Sequence, residues 1–387
     1  MPFHMVREFL TRHTHVVELE GDEGARVLVC PQWQGRVMTS TCGGDEGRSF
    51  GFVNRQFVEA GKHDPRFNNY GGEERLWLSP EGGPFSLWFK PGDPQTVDTW
   101  LTPPALNEGG WKVVSGSDEP LCRMQARMAL VNAAGTNLLL DVDRSVRMLA
   151  RNEFAQLFGQ AAAGALARGG AKLVGYESVN CIVNHGEPLR RSTGLVSIWM
   201  LSMLNSGSKN VVIVPYKPGD AAELGPIVIS DYFGPVPAER LNVLPEAVLF
   251  RADAKYRAKI GISPSRALDT LGAIDFASGT LTLLRFTMPP DAVRLPYMNN
   301  AWGPQKEPYV GEVVNSYNDG PDERGEQLGA FYELESLSPA AELGTSESLT
   351  HVQQTVHIQA DSAALSALAR EVLGVDLAAV QREMLTR

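Results

Sequence analysis

The sequence predicts an all-β protein, built as a large antiparallel sandwich with a few short helices. Short segments that alternate apolar and polar residues dominate the chain, which is the pattern of strands with one buried face. The 38 glycines and 25 prolines punctuate these segments, and helical periodicity is scarce. A series of short strands separated by turn residues favours an antiparallel sandwich over a parallel α/β sheet.

The strand-like segments follow one another along the chain. Residues 122–128 switch between apolar and polar at every step, as a half-buried strand does. Similar signals predict strands at residues 16–20, 25–30, 35–42, 85–89, 111–115, 138–148, 195–204, 211–216 and 247–262. Residues 272–276 and 280–288 are predicted to pair as a hairpin, because the Ala-Ser-Gly between them has turn composition.

Helices are predicted in two places. Residues 152–168 form one candidate, ended by Gly169 and Gly170. At the C-terminus Asp361 can cap a helix over 362–373, Gly374 can end it, and Asp376 can cap a second helix over 377–385. We expect one domain, residues 1–387, with residues 361–387 as a helical extension that packs on it. Proline-rich stretches at 215–237 and 289–308 are predicted to be long loops, which frequently serve binding.

Composition excludes several classes of function. The chain has 387 residues, 43% of them hydrophobic, and its 45 acidic and 35 basic residues give a net charge of −10. A nucleic-acid or anionic-membrane surface needs clustered lysine and arginine, so neither partner is expected. No stretch reaches ~18 consecutive apolar residues, and the N-terminus lacks a secretory apolar region. A cytoplasmic location is the default, or a periplasmic or secreted one if a leader was removed; the oligomeric state is not predicted.

The four cysteines do not predict a metal site. They are scattered without a CxxC pair, so we expect no metal and no cofactor. Cys30 and Cys42 could form a disulfide, but free thiols are favoured.

The first candidate for a binding segment is residues 71–83. Two Gly-Gly pairs flank a core that contains Glu74, Arg75 and Trp77. Arg75 can offer a rigid fork of donors to a carboxylate or to vicinal hydroxyls, and Trp77 can offer a stacking plane. The alternative is structural, with Arg75 paired to Glu74 and Trp77 in the core.

The second candidate is a strand over residues 331–337. Its period places Glu333 and Glu335 on one face, which would be costly if that face were dry core. The two carboxylates should therefore face solvent or a polar cleft. The strand over residues 349–358 puts His351 and His357 on its polar side. His351 could reach the carboxylates if the two strands are neighbours, although an ordinary polar face explains the pattern as well.

Two further clusters and one histidine complete the candidate residues. Residues 299–303 and 315–321 are rich in amides and aromatic rings and could form a binding loop, or in the second case a simple turn. His185 lies at a predicted turn, where a histidine is often idle. The substrate-binding candidates in these clusters are Asn300, Trp302, Asn315, Tyr317 and Asn318.

Together these residues predict a carbohydrate site for a small or oligomeric sugar. Aromatic rings can lie on the apolar faces of a pyranose, while carboxylates, amides and arginine bind its hydroxyls. No G-x-S-x-G elbow is present, and no cysteine has a nearby histidine, so nucleophilic triads are not indicated.

Three patches resemble the galactose-mutarotase-like superfamily, which includes the aldose 1-epimerases. Residues 329–335, Gly-Ala-Phe-Tyr-Glu-Leu-Glu, resemble the strand that carries the family's catalytic glutamate. Residues 343–351 are similar to the closing loop and final strand, and residues 71–80 to the Gly-Gly segment of the sugar cleft. The pattern is that of a bacterial branch. The resemblance implies a β-supersandwich with the sugar on a concave sheet face.

The resemblance also implies a chemistry, with one gap. Glu335 would be the general base at the anomeric hydroxyl of the sugar. The family's His-Xaa-Tyr-Phe-like stretch is missing, so the general acid stays open between His185, Tyr317 and Glu74.

Two alternatives to an epimerase remain. A glycoside hydrolase or lyase would pair Glu335 with Glu73 or Glu74. A protein that only binds sugars would use Trp77, Trp302 and Tyr317 as a platform. Catalysis predicts Glu335 buried beside a second titratable group, whereas binding alone predicts aromatic rings on an open shelf.

Overall fold

Eighteen strands form three antiparallel sheets in the computed structural model, which describes residues 1–116, 120–168 and 170–385. The predicted all-β class is confirmed. The strands are β1 Val17–Glu20, β2 Arg26–Cys30, β3 Arg36–Thr41, β4 Arg75–Ser79, β5 Lys112–Val113, β6 Leu121–Val131, β7 Asn137–Met148, β8 Lys172–Asn184, β9 Ser197–Asn205, β10 Asn210–Pro215, β11 Leu241–Val243, β12 Ala247–Arg251, β13 Ala258–Ile262, β14 Thr270–Asp275, β15 Thr280–Phe286, β16 Val314–Asn318, β17 Phe331–Leu337 and β18 Ser348–Gln359.

The two larger sheets face each other. The ten-stranded sheet has the order β11-β12-β10-β14-β15-β18-β8-β7-β6-β5, and the five-stranded sheet has the order β13-β16-β17-β9-β4. Apolar side chains from both sheets, such as Phe250 on β12 and Leu334 on β17, fill the space between them. We call the side of the five-stranded sheet that faces this core its inner face. Because side chains alternate along a strand, every second residue points to the opposite, outer face.

Helices cover the other side of the ten-stranded sheet. Leu368 of α7 (Ser362–Leu373) and Val380 of α8 (Leu377–Leu385) are fully buried in one apolar cluster with Val211 and Leu283 of the sheet. The helices are α1 Phe3–His13, α2 Arg55–Ala60, α3 Pro104–Asn107, α4 Phe154–Phe158, α5 Gln160–Arg168, α6 Ala221–Leu224, α7 Ser362–Leu373 and α8 Leu377–Leu385. The small sheet β1-β2-β3 packs against α1.

The C-terminal helices have the predicted bounds and caps. The carboxylate of Asp361 accepts a 2.8 Å hydrogen bond from the backbone N–H of Ala364, in the first turn of α7. Gly374 ends α7 in the left-handed conformation, with φ of 69°. The carboxylate of Asp376 accepts from the N–H of Ala379 at 3.1 Å. Whether the chain forms one domain with a helical extension stays a prediction.

Four local predictions are corrected. Residues 85–89 form turns, and the apolar ring of Trp88 packs on Trp77 instead of joining a sheet. Residues 247–262 contain two strands, β12 and β13, which lie in different sheets. The helix predicted over 152–168 is broken at Gly159, where φ is 90°; Gly169 lies outside the described residues. Residues 315–318 belong to strand β16 and not to a loop.

The longest strand, β8, was not predicted because its buried side is partly polar. Val174, Tyr176 and Ile182 are buried on the same side as Ser178 and Asn180, so the apolar alternation is interrupted. The hairpin of β14 and β15 and strands β17 and β18 are confirmed.

Three further features concern the whole chain. Cys30, Cys42, Cys122 and Cys181 are free thiols, and burial raises the pKa of Cys42 and Cys122 to about 11. None of the described helices is long and apolar enough to span a membrane. Within the described ranges, no group of three or more His, Cys, Asp or Glu side chains could hold a metal ion.

Candidate functional site

The outer face of the five-stranded sheet gathers most of the candidate residues. In the register of the sheet Leu201 on β9 pairs with both Arg75 on β4 and Glu335 on β17, so all three lie in one cross-strand row. Adjacent strands are about 4.8 Å apart, which places the backbones of Arg75 and Glu335 about 10 Å from each other. The same periodicity assigns to this face Arg75, Trp77, Trp199, Leu201, Met203, Lys259, Asn315, Tyr317, Glu333 and Glu335.

Arg75 and Glu333 form a buried ion pair on this face. Nη2 of Arg75 lies 3.0 Å from Oε1 of Glu333, and the guanidinium lies 4.0 Å from the ring centroid of Trp77. Burial raises the pKa of Glu333 to about 7, against the opposing charge of Arg75. Burial lowers the pKa of Arg75. Its Nε and Nη1 have no hydrogen-bond partner among the described residues, so two donors remain for a ligand.

Glu335 is fully buried and uses one of its two oxygens. Its Oε2 lies 3.0 Å from Nζ of Lys259 and accepts a 2.8 Å hydrogen bond from Nε1 of Trp199. Its Oε1 has no partner within the described part of the chain. The lysine ammonium and the indole N–H therefore hold this oxygen in a fixed position by charge-assisted hydrogen bonds. A buried carboxylate with a free oxygen is suited to accept a proton from a bound hydroxyl.

Lys259 and Trp199 were not among the sequence candidates. Burial lowers the pKa of Lys259, but the charges of Glu335 and Glu81 outweigh burial and raise it overall. The signal for Lys259 was a lone charge between apolar residues in strand β13. Trp199 gave no signal, because it lies in a long apolar strand whose two faces are both buried.

Glu81 is a second residue that sequence reasoning missed. It follows β4, and its Oε1 accepts a 2.9 Å hydrogen bond from Nε1 of Trp100. Asn300 holds this turn, since its Oδ1 accepts from Oγ of Ser79 at 2.6 Å and from N–H of Glu81 at 2.8 Å. Burial raises the pKa of Glu81. Trp302 interacts with the same carboxylate and is 39% exposed, so this candidate lies at the rim of the face.

The loop after β10 contributes two rings above the opposite edge of the sheet. Nδ2 of Asn315 donates to the hydroxyl of Tyr232 at 3.2 Å, while its Oδ1 has no partner in the described residues. Burial raises the pKa of the neighbouring Glu312. Phe233 is 48% exposed, and its ring centroid lies 6.0 Å from that of Tyr317.

Tyr317 is held by Asp319. The phenol donates to Oδ1 of Asp319 at 2.7 Å, and Oδ2 of Asp319 accepts from the N–H of Gly329 at 2.8 Å. Burial raises the pKa of Tyr317 well above its ordinary value, and it raises the pKa of Asp319 as well. Tyr317 is therefore a neutral hydrogen-bonding group at neutral pH.

Three candidates point into the core between the two large sheets, and their expected grouping with Glu335 is corrected. Glu74 is fully buried and pairs with Arg144 of β7 at 2.7 Å. Nε2 of His351 lies 2.8 Å from Oγ of Ser336, and burial lowers the pKa of His351 to about 3. Oδ1 of Asn318 accepts from the backbone N–H of Ala254. Glu74 precedes Arg75 and Asn318 follows Tyr317, so strand alternation turns both side chains away from the outer face. His351 belongs to the facing ten-stranded sheet.

His185 lies away from the outer face. It is in the turn after β8, where Nε2 is 3.0 Å from Oδ2 of Asp141. Its expected role as partner of Glu335 is therefore corrected. Glu73 also points inward, because its carboxylate contacts Ser40 and Nε2 of His357. A two-carboxylate pair of Glu335 with Glu73 or Glu74 is not formed.

Known proteins resemble this chain at the level of family and fold. Residues 1–384 match the model of a family of unknown function, DUF6786. No curated protein matches the sequence.

The solved structures are remote in sequence. A "Putative aldose 1-epimerase" of Escherichia coli K12 is 10% identical, with a TM-score of 0.50 over 90% of this chain and 99% of that one. The Slr1438 protein of Synechocystis sp. PCC 6803 is 12% identical, with a TM-score of 0.49 over 90% and 96%. A "putative aldose 1-epimerase" of Klebsiella pneumoniae is 10% identical, with a TM-score of 0.48 over 93% and 84%. The likeness to the Escherichia coli protein supports the galactose-mutarotase-like fold, and fold alone does not transfer activity.

Proposed function

We propose that the protein binds a sugar on the outer face of the five-stranded sheet and interconverts the anomers of that sugar. The chain belongs to a family of unknown function, DUF6786, so the proposal is based on the residues of this face. The observation that carries this proposal is the state of Glu335. Its carboxylate is fully buried beside Lys259 and Glu333, and one oxygen has no partner in the described residues. A second titratable group beside a buried glutamate is the arrangement that favours catalysis over simple binding.

In this mechanism Glu335 is the general base. It accepts the proton of the anomeric hydroxyl, the bond from the anomeric carbon to the ring oxygen breaks, and the electron pair goes to the ring oxygen. The product is the open-chain aldehyde. Ring closure on the other face of the carbonyl reverses the two proton transfers and gives the other anomer.

Glu333 is the proposed general acid, which protonates the ring oxygen. Its pKa of about 7 lets it carry a proton near neutral pH, as a general acid requires. It lies two residues from Glu335 on the same strand face, so the two carboxyl groups are neighbours. Arg75 holds Glu333 and directs two further donors to the ligand.

The proline-rich loops predicted for binding lie at the edges of this site. They bring Tyr232 and Phe233 beside Asn315 and Tyr317, and Asn300 and Trp302 beside Glu81. Because Glu335 is fully buried, a sugar reaches it only if side chains from these loops move.

The test is the replacement Glu335→Gln. The amide keeps the shape of the carboxylate but is a far weaker base, so we expect the rate of anomer interconversion to fall by about 10²–10⁴-fold. Exchange NMR across a panel of aldoses measures this rate against the spontaneous background. Glu187→Gln, a change in the loop after β8, is the control and should retain full activity.

Because Glu335 pairs with Lys259, the thermal midpoint of the variant is measured in parallel. Glu333→Gln provides a second route to the same answer, and we expect it to lower the rate while keeping the Lys259 pair intact. Full activity in a folded Glu335→Gln protein would end the proposal.

A further inference from the structure

Carboxyl groups outnumber cations at the centre of the outer face. Arg75 and Lys259 interact with four carboxyl groups, which are Glu81, Glu312, Glu333 and Glu335. Arg75 is matched by Glu333, and Lys259 is matched by Glu335. Glu81 and Glu312 have no comparable ion pair within the described ranges, and the charge of Lys259 acts on both carboxyl groups.

The other nearby cations are engaged elsewhere. Arg257 stacks on Phe233 at 4.4 Å and interacts with Asp319, at the Tyr317 end of the face. Arg36 lies beyond Arg75 and donates to the carbonyl of Gly71 at 2.7 Å. Neither arginine offsets Glu81 or Glu312.

The unpaired atoms on the Lys259 side are hydrogen-bond acceptors. Oε1 of Glu335 and Oδ1 of Asn315 have no partner in the part of the chain that the structure describes, and both residues are at least 99% buried. The orientation of the Asn315 amide is fixed, because its Nδ2 donates to the carbonyl of Ile260 at 3.2 Å. Two buried acceptors require donors from a ligand, and phosphate or carboxylate oxygens cannot supply them.

We infer that this site selects sugars without an anionic group and gains affinity from a protonated amino substituent. The inference rests on the proposed sugar site and adds the charge of its substrate. An ammonium can donate to Oε1 of Glu335 or Oδ1 of Asn315, and it can pair with the carboxyl groups of Glu81 and Glu312, which have no ion pair among the described residues. A phosphate or a uronate carboxylate offers no donor to these two acceptors and is a like charge to the carboxylate of Glu335, which opposes binding.

The test is a binding comparison within single sugar series. Titration calorimetry uses D-glucosamine, D-glucose, D-glucuronate and D-glucose 6-phosphate, and the four corresponding D-galactose compounds, at a pH that keeps the amine protonated. In the series that binds, the amino sugar should bind about tenfold more tightly than the parent sugar. The uronate and the phosphate should bind at least about tenfold more weakly than the parent.

Glu81→Gln should reduce the ratio of amino-sugar affinity to parent-sugar affinity, with both affinities measured on the same variant. Glu371→Gln, on the exposed side of α7, is the matched control and should keep the wild-type order. Equal or tighter binding of the phosphate or the uronate would overturn this inference and leave the sugar site in place. An absence of binding by all eight compounds would overturn the proposed function and this inference together.

Discussion

At the residue scale, the site depends on charges that strand β17 holds away from water. Glu333 is 6% exposed and Glu335 is fully buried, so each needs a partner from another strand. Arg75 on β4 and Lys259 on β13 supply these partners from opposite edges of the sheet. Breaking such a buried pair is costly because the remaining charge is left without compensation. The same dependence makes the site sensitive to pH.

The titration of Glu333 gives a prediction of stability against pH. Its pKa is raised from 4.5 to about 7 in the folded protein. Between these values the folded state holds a proton that the unfolded chain has released, so stability from this group falls as pH rises. The loss across the window is at most about 3 kcal/mol.

Urea unfolding at several pH values between 4.5 and 7.5 tests this point. In Glu333→Gln the side chain cannot titrate. The free energy of unfolding of this variant should therefore decrease less than that of the wild type as pH rises. Glu371→Gln serves as the exposed control and should follow the wild-type profile. Parallel profiles for the wild type and Glu333→Gln would contradict the assignment.

At the element scale, strand alternation decides which candidates meet. Along β4 and the residue before it, Arg75 faces outward and Glu74 faces inward, although they are adjacent in sequence. In β16 the same rule separates Tyr317 from Asn318. Gly261 in β13 adds a requirement for space, because side chains from two loops and from β16 cross above it.

Gly261→Ala should disturb the site through this crowding. The added Cβ would lie 2.3 Å from the hydroxyl of Tyr232 and 2.8 Å from Nδ2 of Asn315. We expect destabilisation of about 1–3 kcal/mol, as in other overpacked sites, and a lower rate of anomer interconversion.

Gly344→Ala is the matched control for this change. Its Cβ would approach only the flexible side chain of Glu347, at 3.3 Å, and should have little effect on stability or rate. Urea unfolding and exchange NMR measure the two quantities. A Gly261→Ala protein as stable and as active as Gly344→Ala would exclude the close packing described for Tyr232.

At the scale of the whole molecule, a buried polar layer joins the two large sheets. Arg144 of β7 contacts Glu74 at 2.7 Å, and Nε2 of Gln353 of β18 donates to the other oxygen of Glu74 at 2.7 Å. Arg144 also donates to the carbonyl of Gly35 at 3.1 Å. These contacts hold the two facing sheets in a fixed relative position. They also keep the side chain of Glu74 on the core side of the five-stranded sheet, away from the candidate site.

Arg144→Met should test the contribution of this layer. It leaves the fully buried Glu74 without its cation, and we expect a loss of about 3–5 kcal/mol in the free energy of unfolding. Arg127→Met removes the same type of contact on the surface, where Arg127 and Asp141 are 61% and 35% exposed. The surface change should cost at most about 1 kcal/mol. Equal losses in the two variants by urea unfolding would show that the layer adds nothing beyond an ordinary surface pair.

Local sequence patterns predicted much of the fold. The alternation of 331–337 and 349–358 predicted β17 and β18, and the caps Asp361 and Gly374 predicted α7, because these signals depend only on neighbouring residues. Apolar–polar alternation did not predict a strand where polar side chains are buried. Strand β8 escaped prediction because Ser178 and Asn180 are buried polar residues: Nδ2 of Asn180 donates to Oγ of Ser178 and to the carbonyl of His351, which is 171 positions away.

The sequence by itself determined the strand-rich class, the face shared by Glu333 and Glu335, and the choice of Arg75 as a candidate. Only the tertiary structure decided that Lys259 and Trp199 hold Glu335, and that Glu74 and His351 point into the core between the sheets. The physical reason is that these contacts join residues far apart in the chain, such as Arg75 and Glu333, which are separated by 258 positions. Strand order and sheet register create such contacts, and neither is encoded in the local period of the sequence.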